Sequence, residues 1–465
     1  MEYTLAIDQG THASRALLYD THGYCRYRQI EQVSLQRLAD GRVEQNAGKI
    51  ISATRSCIDA VLAELSASHR QAVTRCGITT QRSTVLAWRG DDGSALSAAL
   101  SWQDTRGASH VKALDRYSDA IHRLSGLPLS AHYGASKLRW LYARLHAEPA
   151  LRLGPLSAFL TARLCDNPTP VVDHSNAQRT QLLDIQQRSW SRQLADWFEV
   201  PLDRLPDCAP VQHEFGALLD YGIPVTAVCG DQNAAWFSDG LPDEDCARVN
   251  LGSGAFILAA QTSAAAPALL SSVASSTDTN ISYLTEGTVN GGGNAIQWLQ
   301  QQAGVADISA RLDDWLNTVH QPPVFINTVG GLGSPWWRND IDPVFLPSAG
   351  SGNSTAEYAV AVVESIAFLV QKNLEQIRKT HSVQRLYLSG GLSRLGGLCQ
   401  KLANLSGLPA SRSDDSEASA RGIAWLAGGQ QQDWPAGMST QFFTPRSDSG
   451  LMKRYQLFCD YLAQQ

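Results

Sequence analysis

The 465-residue sequence has no CxxC pair, no tract of basic residues, and no uninterrupted apolar stretch long enough to span a membrane. Each absence removes a class of protein. The nine cysteines, Cys25, Cys57, Cys76, Cys165, Cys208, Cys229, Cys246, Cys399 and Cys459, are odd in number and widely scattered. That suits reduced thiols in the cytoplasm better than a disulfide frame or a zinc cluster. A net charge of -6 without a basic run argues against a nucleic-acid surface, while leaving room for a local phosphate site built from amides, hydroxyls and a metal. No membrane span is expected, and the first strand follows MEYT so closely that no leader peptide is expected either. What the chain does have is length and apolar content, 43% hydrophobic residues, enough to bury more than one core. At least two domains follow.

Leu5 to Asp20, LAIDQGTHASRALLYD, organises the rest. Leu5, Ala6 and Ile7 suit a buried strand, Gly10 permits a turn, and Ala16 to Tyr19 suit the returning strand, so the segment reads as a hairpin with a polar tip. Backbone amides with Thr11 and Ser14 would cradle phosphate oxygens there, Arg15 would add a charge-assisted contact, and Asp8 would hold magnesium directly or through water. An ordinary hairpin with turn residues at its tip is the competing reading. Ala247 to Ala259, ARVNLGSGAFILA, repeats the plan with Gly252, Ser253 and Gly254 at the tip. Two hairpins of one design about half a chain apart suggest duplicated domains facing each other across a cleft.

Further along, Ala47 to Leu65 carries apolar residues at helical spacing, and Gly77-Ile78-Thr79 opens a strand that delivers Gln81 and Arg82 to its end. In Ser101-Trp102-Gln103-Asp104 an aromatic stands among hydrogen-bonding groups, either a wall for a small polyol or a core tryptophan beside an ion pair. Val171 to Thr180 is polar after a short strand and is placed near the cleft, and Asp184 to Phe198 reads as a helix. Pro224 to Asp231 is an apolar strand ending in Gly230 and Asp231; the carboxylate suits a general base, with an N-cap of the next helix as the alternative. Gln261 to Asn280, rich in alanine and serine, reads as a solvent-exposed excursion, and Glu286 as the start of a glycine-rich loop leading into a helix. Ala356 to Ile377 is a long helix expected to pack on a sheet, Gly390-Gly391 ends the following strand, and Asp415 to Leu426 is a closing helix with a small-residue face.

With these pieces in order, the chain resembles the FGGY carbohydrate kinases, and its motifs are most similar to the glycerol kinase branch. The segments carrying the resemblance are LAIDQGTHASRALLYD, GRVEQN, TTQRSTVLAW, SWQDTR, VVDHSNAQRT, GDQNAAWF, VNLGSGAFIL, EGTVNGGGNAIQWL, GGLGSPWW and LSGGLSRLGGLCQKLA. The resemblance implies an α/β fold of two duplicated ribonuclease-H-like, actin-like ATPase domains around a central cleft, divided at 1–245 and 246–465, with ATP and Mg2+ between them. It implies Asp231 as catalytic base and Asp8 as the magnesium residue. Thr11, His12, Ser14, Arg15, Gly252, Ser253, Gly331, Gly390 and Gly391 would then lie around the phosphates and nucleotide. Gln81, Arg82, Ser83, Trp102, Asp104, His132 and Phe256, with Asp231, would surround a small sugar or polyol acceptor. The resemblance also raises a homodimer as a hypothesis.

The departures gather at the acceptor end. Glycerol kinases follow the motif's arginine with a glutamate, where this chain has Ser83; their acceptor-binding tyrosine aligns with His132, with Tyr133 beside it; and His12 replaces a threonine of the first hairpin. A serine leaves space and removes a strong acceptor, so a compound longer than glycerol is expected; if glycerol is the substrate, Asp104, His132 or a water must replace the carboxylate. Two other functions compete. One is a binding or regulatory homologue without turnover, against which Asp8, Arg82 and Asp231 speak. The other is an ATPase with a protein partner, which has no need of a polyol pocket.

Overall fold

The computed structural model describes residues 2–465 apart from 168, 170, 262, 264–267, 304–307, 348–352, 414–416, 433 and 435–438. β1 (Tyr3–Gln9) is buried along its whole length and therefore sits inside a sheet. β2 (Ala13–Asp20) returns antiparallel to it and the largely exposed β3 (Cys25–Gln32) forms the edge, while β4 (Val73–Thr80) and β5 (Val225–Gly230) add in parallel on the other side. The order is β5-β4-β1-β2-β3. α1 (Ala47–Ala63), capped by Asn46, covers one face with Ile50, Ile58, Val61 and Leu62. A second five-stranded sheet includes Ala99–Leu100, Val85–Arg89 and Leu151–Pro155, and with α2 (Gly134–Leu145) it carries the segments assigned to the acceptor. Two short helices, α3 (His174–Gln178) and α4 (Asp231–Ala235), start at the ends of strands.

The C-terminal half builds a larger sheet from β6 (Cys246–Leu251), β7 (Ala255–Gln261), β8 (Leu270–Ser276), β9 (Ile281–Val289), β10 (Arg385–Ser389), β11 (Ala410–Ser413) and β12 (Ser439–Phe443), in the order β8-β9-β7-β6-β10-β11-β12. Its central run β9-β7-β6-β10-β11 has the same directions as β3-β2-β1-β4-β5: an antiparallel meander, then two parallel strands. α5 (Gly293–Ala303) follows the glycine-rich segment after β9, and α6 (Thr355–Ile377), begun by a Ser354–Glu357 capping box, packs on this sheet through Val360, Val363, Ile366 and Ala367. α7 (Ala418–Ala427) crosses to the first sheet, where Ala420, Ile423 and Ala424 meet Ala6, Leu17 and Cys229. The approach is close enough that a Cβ on Gly422 would lie 1.8 Å from the Ala234 carbonyl oxygen. Asp415, given to this helix by its pattern, lies outside the described residues.

Three segments differ from their sequence patterns. Leu270–Ser276 is no exposed excursion but a fully buried strand, because its four serines and Ala274 pack beside α3 and α4. Asp184 to Phe198 is broken: the Asp184 carboxylate accepts from Gln186 N and Gln187 N, Arg188 turns at φ 60°, and the helix spans only Arg192–Phe198, capped by Ser191. Glu286 belongs to β9, so its side-chain direction is set by strand alternation and not by a flexible loop. All nine cysteines are free, and among the described residues no helix is long and apolar enough to cross a membrane.

Candidate active site

Register brings the acidic residues to one edge. Thr79 of β4 stands level with Asp8 of β1 on one side and Cys229 of β5 on the other, so Asp8 and Asp231 lie at the same end of the sheet with β4 between their strands. Burial pushes the Asp8 carboxyl up to about 7; Arg15 opposes the shift, while Asp231 and Glu417 add to it. Arg15 Nη1 donates to Asp8 Oδ2 at 3.2 Å, and Arg15 Nε lies 3.6 Å from Glu417. Burial likewise raises Asp231, against Arg82, whose Nε is 3.6 Å from Asp231 Oδ1. Two carboxylates at one end of a sheet, both raised and the charge of Asp231 adding to the shift of Asp8, suit a cation or a proton transfer.

The first tip divides by strand alternation. Asp8 and Arg15 pair across the hairpin on one face; Gln9 and Ser14 pair on the other. Ser14 is thereby fully buried against α1, donating to Gln9 Oε1 with Thr54 nearby, and its assignment to phosphate is corrected. Thr11 stays at the tip, its Oγ1 accepting from Trp102 Nε1 at 3.0 Å, while the His12 side chain is exposed.

Arg82, just beyond β4, is the hub of the acceptor side. Its Nη1 and Nη2 make a two-pronged pair with Glu286 at 2.9 and 3.1 Å, and Nη1 also donates to Asn233 Oδ1 at 3.0 Å. The arginine lies over the end of β5 because Gly230 has no side chain: a Cβ there would fall 2.7 Å from Arg82 Cγ. Glu286 also accepts from Arg179 Nη2, which reaches Ser272 as well. Burial alone would raise Glu286, but Arg179 and Arg82 pull it down to about 2. Glu286 and Arg179 were not named as site residues from sequence, although Arg179 stands in VVDHSNAQRT, whose polarity placed it near the cleft.

A third unforeseen residue is Lys137 of α2, fully buried, whose Nζ donates to the carbonyl oxygens of Ser83, Ser101 and His132. Burial pushes it down to about 7, with Asp104 acting in the opposite direction. Ser83 adopts φ 62° and its buried hydroxyl has no partner. The His132 ring lies 5.4 Å from that of Trp102, and burial with nearby Lys137 and Arg179 pushes it down to about 3, so it is neutral. Burial pushes the neighbouring Tyr133 hydroxyl up to about 12. Phe256 is partly buried on β7 beside Thr288 of β9, on the face shared with Leu258 of the cluster joining the two sheets.

Two residues assigned to the acceptor are committed elsewhere. Asp104 is fully buried, Oδ2 accepting from Val43 N and Arg106 Nη2 and Oδ1 from Arg106 N and Nε, which leaves no oxygen to replace a missing glutamate. Gln81 donates to Gln45 Oε1 at 2.7 Å and accepts from Thr84, bracing the hairpin instead of facing an acceptor.

The second tip sits alongside. Gly293 N and Asn294 N, at the start of α5, donate to the Gly252 and Ser253 carbonyls, and Asn250 Nδ2 reaches Gln232 next to Asp231. Gly390 turns at φ 87°, with Asn250 Oδ1 2.6 Å from where a Cβ would be, whereas the side-chain direction of Gly391 meets nothing within 4 Å. Gly331, at φ 84°, has its carbonyl held by Asn290 Nδ2. Open backbone beside a phosphate-type tip suits a ribose or base. Among the described residues no group of three or more His, Cys, Asp or Glu could hold a metal alone. A single carboxylate such as Asp8, completed by substrate phosphates and water, is the habit of Mg2+, so the residues fit that ion.

The fold is that of the α/β actin-like ATPases. The chain belongs to the FGGY family of carbohydrate kinases: residues 3–238 match its N-terminal domain and 247–430 its C-terminal domain. It is 32% identical to a glycerol kinase of Trichodesmium erythraeum over 92% of this chain and 89% of that one, and 29% identical to the Bacillus subtilis glycerol kinase over 92% and 90%. Solved structures share the fold across the whole chain: Plasmodium falciparum glycerol kinase with ADP superposes with a TM-score of 0.88 at 21% identity, covering 100% of this chain and 98% of that one. The ligand-bound xylulose kinase of Lactobacillus acidophilus gives 0.87 at 19%, with coverage of 100% and 98%.

Proposed function

We propose that the protein transfers the γ-phosphoryl group of ATP to a hydroxyl of a small polyol or sugar. The observation that carries this reading is the position of Asp231 at the end of β5, raised by burial and flanked by Arg82 and Asp8. Asp231 takes the proton of the attacking hydroxyl, which a carboxylate can do without a large shift because proton transfer follows phosphoryl transfer. Arg82, fixed by Glu286, orients acceptor hydroxyls, and Trp102 with Phe256 covers carbon. Magnesium with the nucleotide, held at Asp8, would supply charge neutralisation. The repeated strand plan supports duplicated ribonuclease-H-like lobes, 1–245 and 246–465, as the frame of the cleft.

The acceptor is read as longer than glycerol, since Ser83 carries no carboxylate and Asp104 cannot substitute for it. Glycerol itself is the second reading, favoured by the names of the curated relatives at 29–32% identity. A coupled assay over glycerol, erythritol, ribitol, arabinitol, xylitol, ribulose and xylulose decides between them. Highest kcat/KM on a longer compound is expected; a tenfold or larger preference for glycerol establishes the second reading. No transfer to any of them refutes the proposal.

A further inference from the structure

Lys137 is a lysine inside the protein with no carboxylate within ion-pair reach among the described residues. Its hydrogen bonds go to carbonyl oxygens alone, at 2.8 Å to Ser83, 2.9 Å to Ser101 and 2.9 Å to His132, so all three ammonium donors are used, while Asp104 favours the charge from beyond ion-pair distance. The three carbonyls come from separate segments: the bend between β4 and Val85–Arg89, the loop after Ala99–Leu100, and the turn into α2. Each lies at, or one residue from, a side chain of the acceptor wall, since Ser83 follows Arg82, Ser101 precedes Trp102, and His132 packs on Trp102 and precedes Tyr133.

Resting on the reading of this site as a polyol or sugar pocket, we propose that Lys137 is the positioning residue of the acceptor pocket, clamping into one geometry the three loops that carry Arg82, Trp102 and Tyr133. Three carbonyl dipoles converging on one point repel unless a cation or a set of donors lies between them. The clamp also accounts for Ser83, a non-glycine residue held at φ 62°, because that conformation turns its carbonyl toward the ammonium. Lys137 touches neither phosphate nor transferred proton, so its loss is felt in acceptor binding first and in the nucleotide site hardly at all. Substituting a core residue of equal volume would not divide the effects in that way.

Lys137→Met keeps the volume and removes the donors; Lys137→Gln retains one donor group and serves if the first variant does not fold. Acceptor KM should rise at least tenfold in either variant, with KM for ATP within about twofold of the parent. Unchanged acceptor KM, or equal damage to both substrates, overturns the proposal. Hydrogen exchange on the substrate-free protein decides independently of turnover. Faster exchange in 81–84, 99–104 and 129–134 together is expected, and parental exchange in all three overturns it. A parent that phosphorylates no compound would refute the function proposed above, while the exchange measurement would still judge Lys137.

Discussion

Asp8 should weaken the free protein that it serves. Its carboxyl moves from 3.8 to about 7 on folding, chiefly through burial, and at 1.36 kcal/mol per pH unit this corresponds to about 4 kcal/mol. A group whose folded pKa is raised gives stability that is fully present below its unfolded value and is lost as pH rises through the folded one; the loss therefore falls between about pH 4 and pH 7. Asp8→Asn keeps the shape and removes the ionisation. The variant should exceed the parent by about 2 kcal/mol at pH 5 and about 4 kcal/mol at pH 8, with no further change above that. An unfolding entropy of about 2.1 cal/mol/K per residue converts the larger figure to about 8 °C in Tm if a lobe of roughly 240 residues unfolds alone, or about 4 °C if the whole chain unfolds together. Calorimetry of nucleotide-free protein at both pH values measures the difference. A gap that is the same at pH 5 and pH 8, or a variant less stable at pH 8, refutes the reasoning. Adding ATP and magnesium should reverse the order, because a cation at Asp8 stabilises the ionised parent and not the amide.

Asp231→Asn should lower kcat by at least a hundredfold while the ATP dissociation constant, read by titration calorimetry, stays within a few-fold; activity near the parent's would remove Asp231 from the base role. Glu286→Gln strands two buried guanidiniums and should cost roughly 3–5 kcal/mol in denaturant titrations. It should also move the acidic limb of kcat/KM downward, since the Glu286 charge raises Asp231; a limb that stays in place or rises refutes the coupling. Ser83→Glu should shift the ratio of kcat/KM for glycerol over erythritol toward glycerol by about tenfold, and an unchanged ratio would separate position 83 from acceptor choice.

Much of the frame was legible because it rests on short-range pattern. The apolar runs on either side of the polar tip in Leu5 to Asp20 give β1 and β2, the same plan returns in β6 and β7, and the helical spacing of 356–377 becomes α6. What pattern could not supply was the partner chosen by each polar side chain. Ser14 looked like tip chemistry, yet one step of strand alternation turns it toward Thr54. Asp104 looked like an acceptor ligand, yet the arginine two residues on occupies both its oxygens. Glu286 meets Arg82 across a separation of 204 residues, which no local window contains. Leu270–Ser276 is buried although its composition is that of a surface loop, because its small residues let α3 and α4 pack close.

The site edge gathers three guanidiniums, Arg15, Arg82 and Arg179, and three carboxylates, Asp8, Asp231 and Glu286, but they are shared unevenly. Glu286 takes both prongs of Arg82 and one of Arg179, so it stays ionised at every physiological pH and acts as a fixed anchor. Asp231 is left with Arg82 Nε at 3.6 Å and the Gln232 amide at 2.7 Å, and Asp8 with a single Arg15 contact at 3.2 Å. Because neither is fully compensated, both remain raised and receptive to a proton or a cation. The division has a structural cause: Glu286 projects from the seven-stranded C-terminal sheet, whereas Arg82 and Arg179 belong to the first half of the chain, so the ion pairs that take up these guanidiniums also join the two halves.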